Sequence, residues 1–444
     1  MSLIQSRVTI LAAAILIAPV YANSSSPKFH QGRLIVKLRE GSSLPKSNLI
    51  KSSMHLFKNT YILRTTNVLG LEKELKVSNS VFSVNKDFYA KREELPMIIE
   101  SDEIEKASSR NKFWGFGSPG PFNDPKVKRL WAFESSARKG MNVLAAYENY
   151  DSSNSEKVIV AVIDTGVDYE HEDLKDVMWT NPGEIAGNGV DDDGNGYIDD
   201  IRGINTLVRD ADGNATMEIM DRDRHGTHAA GIIGAKQNND KGIAGVASNV
   251  AIMGIRTVPN GTDESDVDVA EALVYAAKNG AKIINCSFGK SENENGMLVK
   301  ETIDFIGSEY GVLVVASAGN SSKNIDKKKM YPASFRSENL LVVASNTNKG
   351  ISRFSNYGVK SVDVLAPGST IYSTVPGDRY ASMSGTSMAS PNAAGVAAEI
   401  LSRNPGLSPI QLKRIIMSSV KKSSRFSKKA LSGGVVDLKA ALNL

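Results

Sequence analysis

The chain has 444 residues, 41% of them hydrophobic, and a formal charge of +4 from 53 lysines and arginines against 49 acidic residues. That length and composition bury at least one large core, suggest two or three domains and exclude a disordered chain, while the small net charge argues against a general nucleic-acid or acidic-membrane binder. A single cysteine, Cys286, excludes an internal disulfide and a cysteine-based zinc site, and the short run Lys327-Lys328-Lys329 reads as a solvated loop.

In chain order, Arg7 precedes an apolar stretch at 8–20 that ends in Val20-Tyr21-Ala22. The stretch is short for a membrane span, and its charged front and small-residue exit are those of an export signal, so residues 1–22 read as a signal peptide cleaved after Ala22. The expected protein is exported, periplasmic or secreted, with no stable membrane anchor. Residues 23–90 read as a small α+β domain, with strand-like alternation at 32–38, 61–64 and 81–89 and a helical pattern at 69–77. Between 91 and 122 charges and turn residues replace the pattern, as in a linker.

From 123 to 444 strands and helices alternate. Runs at 158–163, 251–255, 282–287, 312–316 and 340–344 are continuously apolar, as expected of strands covered on both faces, and 267–278 and 296–309 are helical in pattern. The fold class is α/β, a doubly wound, mostly parallel sheet, in which chemistry collects at the C-terminal ends of the strands. Residues 407–444 read as terminal helices of the same domain.

Several strand ends carry reactive groups. The first apolar run leads into Asp164-Thr165-Gly166, a carboxylate at a buried tip. His225-Gly226-Thr227-His228 places two of the five histidines three apart at the start of a small-residue helix. A zinc pair is one reading, but no glutamate stands between them in metalloprotease spacing, and a catalytic base fits better. The run at 312–316 ends in Ser317-Ala318-Gly319-Asn320, whose amide can donate to an oxyanion. Finally, Gly385-Thr386-Ser387-Met388-Ala389-Ser390-Pro391 sets a hydroxyl at the start of an apolar helical run, where Ser387 reads both as a helix cap and as a nucleophile favoured by unpaired backbone N–H groups.

Taken together, these motifs make the chain from about residue 123 onward resemble the secreted serine proteases of the subtilisin family. Val162-Ile163-Asp164-Thr165-Gly166 resembles its aspartate motif, His225-Gly226-Thr227-His228 its histidine motif, Ala318-Gly319-Asn320 its oxyanion motif and Gly385 to Pro391 its serine motif. The resemblance implies that Asp164 orients His225, that His225 takes the proton of Ser387 as it attacks a peptide carbonyl, and that Asn320 and the Ser387 N–H stabilise the oxyanion. It also implies that Ser287-Phe288-Gly289 lines the cleft and pairs with extended protein or peptide substrates, and that residues 23–90 are a propeptide that inhibits the protease until cleaved in the linker. Two departures stand beside the match: Arg224 occupies a place where the family commonly has glycine, and Ala229 one where valine is usual.

Two acidic stretches need separate readings. Asp191-Asp192-Asp193-Gly194-Asn195-Gly196-Tyr197-Ile198-Asp199-Asp200 repeats the first half of an EF-hand loop but has Arg202 at the twelfth position. The expectation is a structural calcium site built from Asp191, Asp193, Asn195, the Tyr197 carbonyl and Asp199 or Asp200, set against a plain solvated turn. Asp263-Glu264-Ser265-Asp266-Val267-Asp268 either selects basic side chains upstream of the scissile bond or caps the following helix. The expected function is a serine endopeptidase made as an exported zymogen; the rival reading is a protease-like, calcium-stabilised scaffold that binds peptides without cutting them.

Overall fold

Strand Val158–Asp164 shows why the apolar runs are continuous. Val158, Val160 and Val162 point into one hydrophobic core, and Ala161 and Ile163 into another on the opposite face. The computed structural model describes residues 28–89, 98–100, 120–135, 139–148, 155–259, 264–291 and 297–444. The expected signal peptide and most of the linker lie outside them.

The central sheet runs, strand by neighbouring strand, Lys421–Lys422, Gly434–Val435, Val364–Pro367, Leu340–Thr347, Leu313–Ser317, Ile283–Cys286, Val158–Asp164, Val250–Arg256, Asn205–Arg209 and Ala215–Thr216. Its interior pairs are parallel and antiparallel pairing is confined to the ends and a short side strand. Helices His225–Gly234 and Thr386–Arg403 supply one core; Asp266–Lys278 and Leu298–Tyr310 supply the other. The strand order reverses at Val158–Asp164, whose neighbours come later in the chain on both sides, and its C-terminal end is the place where sheets of this kind bind their ligands.

The N-terminal domain is a second, antiparallel sheet ordered Ser52–Phe57, Thr60–Arg64, Lys28–Leu38, Val81–Tyr89, with helix Val68–Lys76 across one face. Leu34, Val36, Leu63, Leu71 and Leu75 form its own core. The opposite face, with Ile35, Leu56, Phe57 and Ile62, joins the core of helices Asp266–Lys278 and Leu298–Tyr310. The period-2 alternation of its strands therefore serves two partners at once.

Strand Ser52–Phe57 and the hairpin Ile371–Val375 with Arg379–Ser384 escape the sequence reading, because serines and threonines interrupt their apolar alternation. Helix Thr386–Arg403 begins at Thr386 with Gly385 at the N-cap position and no side-chain cap. Ser387 thus lies inside the first turn and is not the cap that its position before an apolar run suggests. Among the described residues no helix is long and apolar enough to cross a membrane.

Candidate active site

Asp164 ends the central strand and is 1% exposed. Its Oδ1 accepts the N–H of Thr165 at 2.8 Å and lies 2.7 Å from Nδ1 of His225. That contact requires the helix bearing His225 to abut the strand end. Gly226 permits it, since a Cβ there would collide with the Gly166 carbonyl and lie 3.0 Å from the Asp164 Cβ. The buried Asp221 pins the same corner: its carboxylate accepts from Thr165 Oγ1 at 3.0 Å and from Thr227 N and Oγ1 at 3.0 and 2.6 Å. Burial raises its pKa, and the hydrogen bonds to Thr227 and the backbone oppose the rise.

His228 has a different task. It is fully buried, its Nε2 lies 3.0 and 3.1 Å from the carbonyls of Ile371 and Ala381, and burial pushes its pKa down to about 3. Nε2 therefore carries the proton and donates to both carbonyls, tying the helix to the hairpin. His228 thus braces the helix against the hairpin, whereas His225 meets Asp164.

Ser387 is 9% exposed. Four residues on, Pro391 has no N–H, so the Ser387 carbonyl lacks its intrahelical donor. The Ser287 hydroxyl fills the gap, donating to that carbonyl at 2.9 Å. Ser287 in turn accepts from Asn285 Nδ2 at 2.9 Å, and Asn285 Oδ1 accepts from Ser390 Oγ at 2.8 Å. A neutral network thus fixes the serine turn against the segment 287–289. Phe288 is buried there, and a Cβ on Gly289 would lie 2.9 Å from the Tyr331 carbonyl, so the segment is tightly backed.

Asn320 is oriented from behind. Its Oδ1 accepts from Thr386 N and Oγ1, both at 2.8 Å, while Thr386 Oγ1 accepts from Gly319 N at 3.0 Å. The carbonyl end is therefore occupied and Nδ2 turns outward. A point one Cβ bond from Gly385 is 3.5 Å from both Asn320 Nδ2 and Ser387 N, so the two donors face one small space that glycine leaves open. Beside it, strand Ile98–Glu100 pairs antiparallel with Arg379–Ser384, setting Ile98 opposite Ser384, three residues before Ser387.

These features decide the family. The sequence matches the model of the subtilase family (peptidase S8) over residues 155–434. The chain belongs to the subtilase family. It is 34% identical over 336 residues to subtilisin-like protease 1 of Plasmodium berghei, covering 71% of this chain and 54% of that one, and 34% identical over 289 residues to thermitase of Thermoactinomyces vulgaris, covering 65% and 88%. Fervidolysin from Fervidobacterium pennivorans superposes with a TM-score of 0.67 at 23% identity, covering 95% of this chain and 62% of that one, a likeness of fold. The chain spans just over half the length of the first relatives it matches.

The acidic loop folds otherwise than the EF-hand pattern suggests. Asp191 accepts from the N–H groups of Asn195 and Gly196, and Asp199 from those of Gly187, Asn188 and Gly189, so both shape turns. Asn195 Oδ1 is taken by Tyr197 N, and the Tyr197 ring packs edge-on against Tyr275. Asp193 and Asp200 instead converge with Glu184, one carboxylate oxygen from each lying within 4.8 Å of the others. Asp200 is fully buried and its pKa is raised by that burial. An all-oxygen, all-anionic donor set of this kind fits a hard divalent cation. Glu184 escapes the sequence reading because it stands outside the repeating Asp pattern.

The second acidic run is engaged throughout its described part. Ser265 caps helix Asp266–Lys278, Asp266 pairs with Lys290 at 2.9 Å, and Asp268 pairs with Arg33 and Arg209. These partners favour the capping reading over selection of basic substrates. Asp263 lies outside the described residues.

Proposed function

We propose that the protein is a serine endopeptidase in which Ser387 attacks the peptide carbonyl, His225 accepts the hydroxyl proton and returns it to the leaving amine, and Asp164 holds the His225 tautomer through Nδ1. The observations that carry this reading are the Asp164–His225 contact at 2.7 Å and the space shared by Asn320 Nδ2 and Ser387 N. Charge developing on the carbonyl oxygen there meets two fixed donors at a helix N-terminus. Ser287, Phe288 and Gly289 pair with the extended substrate main chain.

The chain is made as a zymogen in this reading. Residues 1–22 direct export, residues 23–90 act as the intramolecular inhibitor, and cleavage falls within 91–122. Support comes from the docking of the small sheet on helices Asp266–Lys278 and Leu298–Tyr310 and from the Ile98–Glu100 strand beside the serine turn. A structural calcium ion is held by Glu184, Asp193 and Asp200, where it neutralises three converging carboxylates. Chelator lowers the melting temperature of wild type and not of Asp200→Asn if this site is used.

The test of the central reading is Ser387→Ala. It abolishes peptide hydrolysis and fluorophosphonate labelling, a loss of about 10⁶-fold by the scale measured in subtilisin itself, and leaves the melting temperature in place. Peptide cleavage by Ser387→Ala at the wild-type rate overturns the assignment, and a wild-type protein that binds peptides without cutting them identifies the scaffold instead.

A further inference from the structure

The run Lys327-Lys328-Lys329, a solvated loop in sequence, does not stand alone in the fold. Three segments are laced together. Ile325 N donates to the Tyr357 carbonyl at 2.8 Å, Tyr357 N to the Lys323 carbonyl at 3.0 Å, Gly358 N to the Lys429 carbonyl at 2.9 Å, and the Arg425 guanidinium to the Lys349 carbonyl at 3.1 Å. The segments 323–329, 349–360 and 421–431 hold ten lysines and two arginines against one acid, Asp326, in a chain whose net charge is +4, so the remainder is net acidic. Asp326 accepts from Lys360 N through both carboxylate oxygens. Among the described residues none of the twelve cations joins an ion pair, whereas Arg33, Lys37 and Arg209 elsewhere are all paired. All but Lys323 and Lys429 are exposed.

Two aliphatic side chains stand out among these cations, Val359 at 39% and Leu431 at 59% exposure. They are neighbours through the fold, since Gly358 N bonds to the Lys429 carbonyl and Leu431 N to the Val362 carbonyl. We propose that this face is a docking surface for a bilayer carrying anionic phospholipid, with the lysines on the headgroups and Val359 and Leu431 entering the acyl boundary. Unpaired lysines around exposed aliphatics are what such a surface recognises. A single-stranded nucleic acid calls for exposed aromatic platforms. Here Phe426 is buried, Phe354 is half-buried, and the half-buried Tyr357 ring is covered by the Lys429 ammonium at 3.6 Å.

The face is joined to the active site. Asn356 accepts from Ser321 N and Lys323 N at 3.1 and 2.8 Å and donates to the Ala318 carbonyl at 2.8 Å, so the segment leaving Asn320 runs directly into the basic surface. Docking brings the oxyanion donor close to the membrane, where it meets polypeptide emerging from the bilayer.

The experiment is co-sedimentation of the full chain carrying Ser387→Ala with phosphatidylcholine vesicles, with and without phosphatidylglycerol. Binding is expected to the anionic vesicles alone and to weaken with salt. Combined Lys327→Glu, Lys328→Glu and Lys329→Glu lowers it by about 100-fold or more. Val359→Ser with Leu431→Ser lowers it by about tenfold and removes the part that survives high salt. Glutamates at the exposed Lys157, Lys175 and Lys278 leave it within about threefold of the parent. Soluble-peptide hydrolysis by the patch variants, with Ser387 restored, reports that they fold. Equal binding to neutral vesicles, tighter binding to an oligonucleotide or to heparin than to the anionic vesicles, or full binding by either patch variant overturns the proposal.

Discussion

The catalytic corner and the contact that holds the N-terminal domain are both buried, yet they are built from opposite materials. Around Ser387 the links are mostly neutral: Asn285, Ser287, Ser390, Thr386, Asn320 and Asn356 pass hydrogen bonds among side chains and carbonyls. Under the small domain they are ionic. Arg33 reaches Asp87 and Asp268, each at 2.6 Å, and Arg209 holds Asp268 and Glu271 at 2.5 and 2.7 Å. Neutral bonds keep their geometry across pH and salt, as a preorganised site requires. A buried ion pair is costly to leave half-made, so the ionic contact is firm while complete and changes with the protonation of its members. The first region is insensitive to protonation and the second is not.

The largest expected effect breaks the neutral side while sparing its scaffold. Asn320→Asp keeps the oxygen that Thr386 uses and replaces the outward donor with negative charge. The turnover number falls by about 10²–10³-fold or more, with KM changed far less, because the lost interaction is made with the oxyanion and not with the ground state. Steady-state kinetics on a peptide amide measure the split. An unchanged turnover number removes Asn320 from the chemistry.

Next comes the ionic side. Arg33→Met, in the full chain carrying Ser387→Ala, takes the guanidinium away from Asp87, which is 0% exposed, and costs about 3 kcal/mol of domain docking, read as early release of the N-terminal domain by trypsin or as a separate low-temperature transition. Burial, with Asp268 nearby and Arg33 opposing, pushes the Asp87 pKa up from 3.8 to about 7. The assembled state then binds a proton that the unfolded chain has lost, so this contribution falls as pH rises from about 4 to about 7. His30 acts in the other sense: burial, then Arg33, push it down from 6.5 to about 4, so its contribution rises over about 4 to 6.5. The two slopes offset each other until about pH 6.5. His30→Asn unmasks Asp87, and relative to wild type the variant loses stability progressively from pH 4 to 6.5. Parallel pH profiles for the two proteins would refute the compensation.

The same contrast explains how much of the molecule was legible in sequence. Strands at 158–164, 283–286, 313–317 and 340–347 were readable because burial on both faces forces continuous apolar runs, and reactive residues at their ends stood out against that background. The motif around Ser387 was readable for the same reason. Its supports were less so: Pro391 reads as an awkward residue in a helix until the freed carbonyl is seen to meet Ser287. The ionic contact was invisible, because Arg33 and Asp268 lie 235 residues apart and each alone is an ordinary polar residue on an amphipathic element. The acidic loop was half-legible. Its composition announced oxygen ligands, but which carboxylates converge and which close turns depends on backbone geometry that an Asp/Gly repeat does not encode.

The smallest effect concerns a residue between the two regimes. Arg224, directly before His225, is exposed and has φ +147° and ψ −23°, a backbone region that side-chain-bearing residues rarely occupy. Asp221 holds it there by accepting the N–H groups of Asp223 and Arg224 at 2.8 and 3.2 Å, so the turn that presents His225 is imposed by the buried carboxylate and merely tolerated by the arginine. Arg224→Gly removes strain of about 1–3 kcal/mol and adds about 0.5–1 kcal/mol of unfolded-chain entropy, for a net gain of about 1 kcal/mol. The melting temperature rises by a few degrees and turnover of a neutral peptide stays near wild type, since His225 keeps its contact with Asp164. A variant less stable than wild type would mean that the arginine side chain makes up for its backbone through interactions at the cleft rim, and Arg224→Ala, which retains the strain and loses the side chain, would then be less stable still.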